Sequence, residues 1–201
     1  MQFIKPSYKI LSKIDGSLIL LNLEYAGRTC YKSEDKITTD SAKEFVAMLL
    51  RRGHESVLEH EKITIKFICD RGVSHEIVRH RIASFSQEST RYCNYSKKGI
   101  TFIIPTWVDL DGEYEYAWRH AMLDSENHYN TLIEKGWKPE QARSVLPNSL
   151  KTEIVVTANL REWRLILKQR TAPGAHPQMR ELMVPLWAEL KQLIPVIFDV
   201  L

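Results

Sequence analysis

Alternation of apolar and polar positions is cleanest over Glu61–Cys69. Ile63, Ile65 and Phe67 fall on one side, and Lys62, Thr64 and Lys66 on the other. That is the period of a half-buried strand. Thr152–Ala158, rich in Ile and Val, predicts a second strand, after which Asn159 is placed to cap a helix running to about Arg170. Ile100–Ile104 reads as a strand ended by Pro105. Residues 7 to 23 also read as β structure: Tyr8, Ile10 and Ile14, an Asp15-Gly16 turn, then the apolar run Leu18–Leu21.

The helical period appears at Ala42, Phe45, Val46, Leu49 and Leu50. It predicts a helix from about Asp40 to Arg52, with Ser41 and Glu44 as a capping box and Gly53 as its stop. A shorter helix is expected from Gly72 to Arg79. A long one, Leu110 to Lys135, carries Tyr114, Trp118, Ala121, Met122 and Tyr129 as a core or subunit-interface stripe. Pro139–Pro147 is a short helix bounded by prolines, and residues 177 to 193 a last helix broken or kinked near Pro185.

The chain of 201 residues suits one domain with a sizeable core, and 44% hydrophobic with 26% charged residues is ordinary globular composition. A net charge of +3 does not indicate a general nucleic-acid binder, so any basic site is local. Cys30, Cys69 and Cys93 lie far apart, without metal or disulfide spacing, which makes a reducing cytoplasm the expected setting. No apolar run approaches the roughly 18 residues of a membrane span. Met1–Pro6 lacks a signal-peptide core. The eight glycines are scattered, and no Gly-x-Gly-x-x-Gly supports a Rossmann site.

One stretch departs from this ordinary background. Arg79–Tyr92 holds three arginines, one histidine, three serines and a threonine, with Phe85 and Tyr92 among them. Basic runs are usually solvated faces. Here Ile82, Ala83 and Phe85 would pin the run to a core as a loop, leaving guanidinium forks and hydroxyls suited to several phosphates. Gln87 and Glu88 could orient a base or ribose. Distant Arg143, Arg161 and Arg170 add candidate anion or carbonyl partners. His54-Glu55-Ser56-Val57-Leu58-Glu59-His60 invites a metal reading, but its histidines are not four apart as in the zinc-protease helix, so no metal is assigned. There is no Ser-His-Asp pattern and no P-loop. Residue types alone do not reveal the reaction.

Arg79-His80-Arg81, Ser84, Ser89 and Arg91 stand at the spacing Arg-His-Arg, two residues, Ser, four residues, Ser, one residue, Arg. This resembles the signature of the flavin-dependent thymidylate synthases, the ThyX family. Further landmarks follow in order: His54, Ser56 and Glu59 within a His-x-Ser/Thr-x-x-Glu-His segment; Ala142-Arg143 followed by Leu146-Pro147; Asn159-Leu160-Arg161; and Ala175–Arg180. The resemblance implies an α+β fold, one ThyX-like catalytic domain over 1–201 with a small antiparallel sheet packed against helices. It implies reductive methylation of dUMP to dTMP. Methylenetetrahydrofolate would give the carbon, NADPH would reduce FAD, and no catalytic cysteine would be used. The assembly implied is a homotetramer with sites formed between subunits, without nucleic acid or membrane partners.

By the same resemblance, His54 lies beside flavin and substrate, and Arg170 stabilises charge building on the uracil ring. Ser56, Glu59, Arg79, His80, Arg81, Asn159 and Arg161 bind FAD. Arg79, Gln87, Ser89, Arg91, Arg143 and Arg170 bind dUMP, with Ser89, Arg91 and Arg143 at its phosphate. The chain departs from the family pattern at Cys30 (for Ser), Glu76 (for Gln), Gln178 (for Glu) and Gly174, where some members carry a flavin-contacting histidine. Two other readings stay open at this point. One is an RNA-binding protein using arginine beside aromatics in Arg79–Tyr92. The other is a flavin-binding relative without catalysis, suggested by Glu76, Gln87 and Gly174.

Overall fold

The computed structural model describes residues 1–97, 99–108 and 112–201, apart from the side chains at 113 and 114. In chain order its elements are β1 (Gln2–Ile4), β2 (Ser7–Ile10), α1 (Gly16–Thr29), α2 (Ser41–Arg51), β3 (Lys62–Asp70), α3 (Arg71–Ile77), β4 (Ala83–Gln87) and β5 (Thr101–Ile103). They continue with α4 (Glu113–Glu134), α5 (Pro139–Ala142), β6 (Lys151–Asn159), α6 (Leu160–Thr171), α7 (Pro177–Leu193) and α8 (Pro195–Phe198). A short helical turn, Glu55–His60, precedes β3.

The main sheet has the order β2-β3-β6-β4. Leu160 N–H donates to the Glu61 carbonyl, and Arg71 N–H to the Asn148 carbonyl. These contacts climb one strand while descending the other, so β3 and β6 are antiparallel. The fold is therefore α+β with a small antiparallel sheet, as expected. An additional pair, β1 with β5, is parallel, with Phe3 opposite Phe102.

Both long strands feed directly into a helix through an Asx cap. Asp70 Oδ1 accepts from Val73 N at 2.6 Å to start α3, and Asn159 Oδ1 accepts from Glu162 N at 2.8 Å to start α6. Each satisfies a donor that the first helical turn leaves orphaned.

The residues group into two compact units. The first comprises Met1–Ser7, Phe67–Arg79 and Phe85–Val155. Its core is Ile100, Phe102, Met122, Tyr129, Ala142 and Leu150, flanked by Phe3 and Trp118, whose ring centroids lie 5.2 Å apart. The aromatic stripe of α4 is thus core at Trp118, Met122 and Tyr129, while Ala121 is exposed. The expected helix start at Leu110 and the side chain of Tyr114 lie outside the described residues.

The second unit comprises Tyr8–Lys66, His80–Ser84 and Val156–Leu201. Within it α1 packs on α2, α6 on α7, and α8 on both α2 and α7. Trp163, 1% exposed, donates its indole N–H to the Ile63 carbonyl at 2.9 Å, tying α6 to β3.

Several expectations are corrected. Residues 16 to 23 are helical, not β. Asp15 is the N-cap of α1, its carboxylate accepting from Leu18 N at 3.0 Å, so Asp15-Gly16 opens a helix instead of turning a hairpin. Four consecutive apolar residues read alike in either period, and here Ile19 and Leu23, one turn apart, face the core. The Ser41/Glu44 capping box does not form, because Asp40 stands at the cap position of α2 without a side-chain bond. The Ser41 hydroxyl is spent on fully buried Glu24 at 2.8 Å, which also takes the Arg28 guanidinium at 2.7 Å. A buried carboxylate needs such donors more than a solvated helix end does. The middle of Arg79–Tyr92 is a strand, not a loop, with Ala83, Phe85 and Gln87 on its more buried side. Finally, α7 runs unbroken through Pro185. Gly53, at φ 73°, closes α2 as expected.

Candidate active site

Two clefts carry arginines, one in each compact unit, and neither is lined by Arg79, His80, Arg81, Ser84, Ser89 or Arg91 of the signature. In the second unit, α6 begins at Asn159 and presents Arg161, Arg164 and Lys168 to a cleft of about 430 Å³, faced by Glu55 and Glu59 from the turn before β3. Helical spacing of 161, 164 and 168 keeps these cations on one face while Trp163, Ile166 and Leu167 are buried. Arg161 Nη1 donates to Glu59 at 2.6 Å, and Arg164 Nη2 to Glu55 at 3.3 Å. Arg164 also donates to the Ile197 and Val200 carbonyls, while its Nε is buried without a hydrogen-bond partner.

Ser56 lines a neighbouring cleft of about 440 Å³ with Gly27, Cys30, Glu59 and His60. Glu59 belongs to both. His54 is exposed at the start of the Glu55–His60 turn and lines neither.

Glu162, which lines the first cleft, belongs to a buried polar chain. Arg170 Nε donates to His80 Nε2 at 3.0 Å, and His80 Nδ1 lies 3.5 Å from Glu162 Oε1. His80 is 6% exposed and Glu162 5%. Burial, and then the Arg170 charge, press the His80 imidazole down to about 4, so it is neutral at physiological pH. Burial raises the Glu162 carboxyl. Of the other signature residues, Arg81 is exposed, and the adjacent Ile82 lines the first cleft.

In the first unit, Arg143 Nη1 donates to Thr90 Oγ1 at 3.1 Å, and both line a cleft of about 270 Å³ with Arg71, His75 and Asn148. Ser89 and Arg91 are not among its lining residues. Arg91 Nε is tied to Glu140 at 3.0 Å, and its guanidinium lies 5.3 Å from the Tyr92 ring centroid. Gln87 donates through Nε2 to Ser74 Oγ at 2.8 Å and Thr152 Oγ1 at 3.2 Å. Arg79 is exposed just after α3, and the Glu76 carbonyl accepts its N–H at 3.2 Å.

Sequence reasoning missed Glu162, Arg164, Lys168, Glu55 and Thr90. Glu162 carried a signal, since Asn159-x-x-Glu162 has the capping-box spacing. That signal would have misled, because the Glu162 side chain meets His80. As for thiols, Cys69 is fully buried, and burial, reinforced by Asp70, pushes it up to about 12. It is no nucleophile at neutral pH.

The mixed helix-and-sheet scaffold, with arginine-lined clefts and a buried neutral histidine, defines the class as α+β. Comparison with known proteins sharpens this class. The family model described as thymidylate synthase complementing protein (Thy1) matches residues 20–196. The flavin-dependent thymidylate synthase of Pyrococcus abyssi is 36% identical over 172 residues, 83% of this chain and 70% of that protein. That of Geobacter sulfurreducens is 34% identical over 86% of this chain and 78% of its own length. The crystal structure of a UMP/dUMP methylase, PolB from Streptomyces cacaoi, bound with 5-Br dUMP, shares the fold at a TM-score of 0.81 and 22% identity, covering 99% of this chain and 96% of that one. The chain belongs to the thymidylate synthase complementing protein family.

Proposed function

We propose that this protein is a flavin-dependent thymidylate synthase that converts dUMP to dTMP. The observation that carries the reading is the complete Arg79-His80-Arg81, Ser84, Ser89, Arg91 signature in a chain of this family. In this reading FAD is the cofactor, and methylenetetrahydrofolate and NADPH are the co-substrates.

The residues present suit FAD. Arg161 and Lys168, exposed on one face of α6, line one cleft with Asn159 and offer cationic donors to a pyrophosphate, with Glu55 and Glu59 across from them. Asn159, Arg161, Ser56 and Glu59 would hold the dinucleotide, with Arg79, His80 and Arg81 from the signature and His54 beside flavin and substrate. Bound there, a flavin reduced by NADPH would supply the hydride, and the protein would supply position and charge.

Arg143, Ser89 and Arg91 take the dUMP phosphate in this reading, and Arg79 and Gln87 contact the nucleotide. Each charge-assisted bond is worth about 1.5–3 kcal/mol, so only about three at the upper end of that range approach micromolar binding. Arg170, held by His80, stabilises the charge that builds on the uracil ring. That makes the methyl-accepting carbon nucleophilic without a cysteine adduct.

The chain works as one catalytic domain in a cytoplasmic homotetramer whose sites form between subunits. No described helix is long and apolar enough to cross a membrane.

Purified protein should be yellow. Given methylenetetrahydrofolate and NADPH, it should release tritium from dUMP labelled at the methyl-accepting carbon. A colourless protein that binds neither FAD nor dUMP would end this reading.

A further inference from the structure

We infer that Glu162 is a positioning residue for Arg170, acting through His80; this rests on the thymidylate synthase reading above. The argument is one of proton placement. His80 Nε2 accepts from Arg170 Nε at 3.0 Å. A neutral imidazole that accepts at one nitrogen carries its proton on the other. Here the other is Nδ1, which lies 3.5 Å from Glu162 Oε1. Arg170 and Glu162 therefore favour the same tautomer from the two sides of the ring, with the proton on Nδ1 and Nε2 open to the Arg170 N–H. Without an acceptor at Nδ1, the proton can move to Nε2, where it meets the Arg170 N–H head on.

Every link is fixed from behind. Glu162 sits at the start of α6, its backbone N–H held by Asn159 Oδ1 at 2.8 Å. Arg170 lies in the last turn of the same helix. His80 bridges the two from a different stretch of chain, and both His80 and Glu162 are at least nine-tenths buried. Neither resembles a solvated ion pair, whose geometry water would scramble. The same logic governs histidines whose second nitrogen is held by a carboxylate, where the distant partner fixes ring orientation.

The test compares Glu162→Ala, which removes the acceptor, with Glu162→Gln, whose amide oxygen keeps it. Two readouts are taken. The first is the His80 tautomer, from imidazole nitrogen shifts of isotope-labelled protein without ligands. The second is the split between kcat and KM for dUMP. In Glu162→Ala the proton should shift from Nδ1 to Nε2, and kcat should fall about a hundredfold, the scale of a misplaced reacting group. KM should stay within about twofold. Glu162→Gln should keep the Nδ1–H tautomer and most of the turnover. Should Glu162→Ala not fold, Glu162→Met fills a similar volume without an acceptor and carries the same readouts. An unchanged tautomer in the variant lacking the acceptor overturns the inference, and so does a Gln variant as damaged as Ala. The tautomer is read without substrate or flavin, so it stands or falls separately from the assigned reaction.

Discussion

Arg143 offers the simplest single-residue test. It is exposed on the short helical turn after α5, where its side chain bonds the Thr90 hydroxyl, so truncation should leave the fold intact. Arg143→Ala should raise KM for dUMP by roughly ten- to a hundredfold, the worth of one guanidinium–phosphate contact, with kcat nearly unchanged. A fall in kcat at constant KM would remove it from the phosphate site.

His80 gives a pH signature at the same scale. Its folded value of about 4 lies below the ordinary 6.5, so over that interval the unfolded chain binds a proton that the folded chain refuses. The stability His80 contributes is whole above pH 6.5 and is lost as pH falls toward 4. His80→Gln should flatten the melting temperature through that window relative to the parent, and parallel curves would refute buried neutrality. Gly174 stands in open space, with nothing within 4 Å of a built Cβ. Gly174→His should therefore leave thermal stability unchanged and, by the family resemblance, tighten flavin retention in dialysis. Flavin loss as fast as the parent's would show that this position does not reach the cofactor.

At the level of elements, capping decided what periodicity could not. Asp15 turns an apolar run that suits either period into α1 by accepting from Leu18 N. Asp15→Ala should cost about 1 kcal/mol in chemical denaturation, and no measurable loss would mean α1 is held by packing alone. Where strand and helix patterns were unambiguous, as in β3, β6 and α6, residue alternation and the Asn159 cap predicted the outcome within a residue or two. Where a side chain had two suitors, the sequence misled: Ser41 matched a helix cap, yet buried Glu24 claimed its hydroxyl. The signature was legible as chemistry but not as shape. Its apolar Ala83 and Phe85, read as anchors of a loop, are alternate positions of the strand β4.

For the whole molecule, the proposed homotetramer predicts a sedimenting species about four times the 23.4 kDa chain mass, and a monomer at working concentration would contradict sites built between subunits. Sequence by itself determined the family and the α+β class, and it nominated the residues proposed for phosphate, flavin and uracil. Those depend on residue types at fixed spacings, which the chain carries wherever it goes. Tertiary structure alone decided that His80 is buried and neutral, that Glu162 and Arg170 meet it from one helix, and that Arg91 and Arg161 are already paired with acids. Solvation and proton position belong to the space around a side chain, and that space is made by residues far away along the chain.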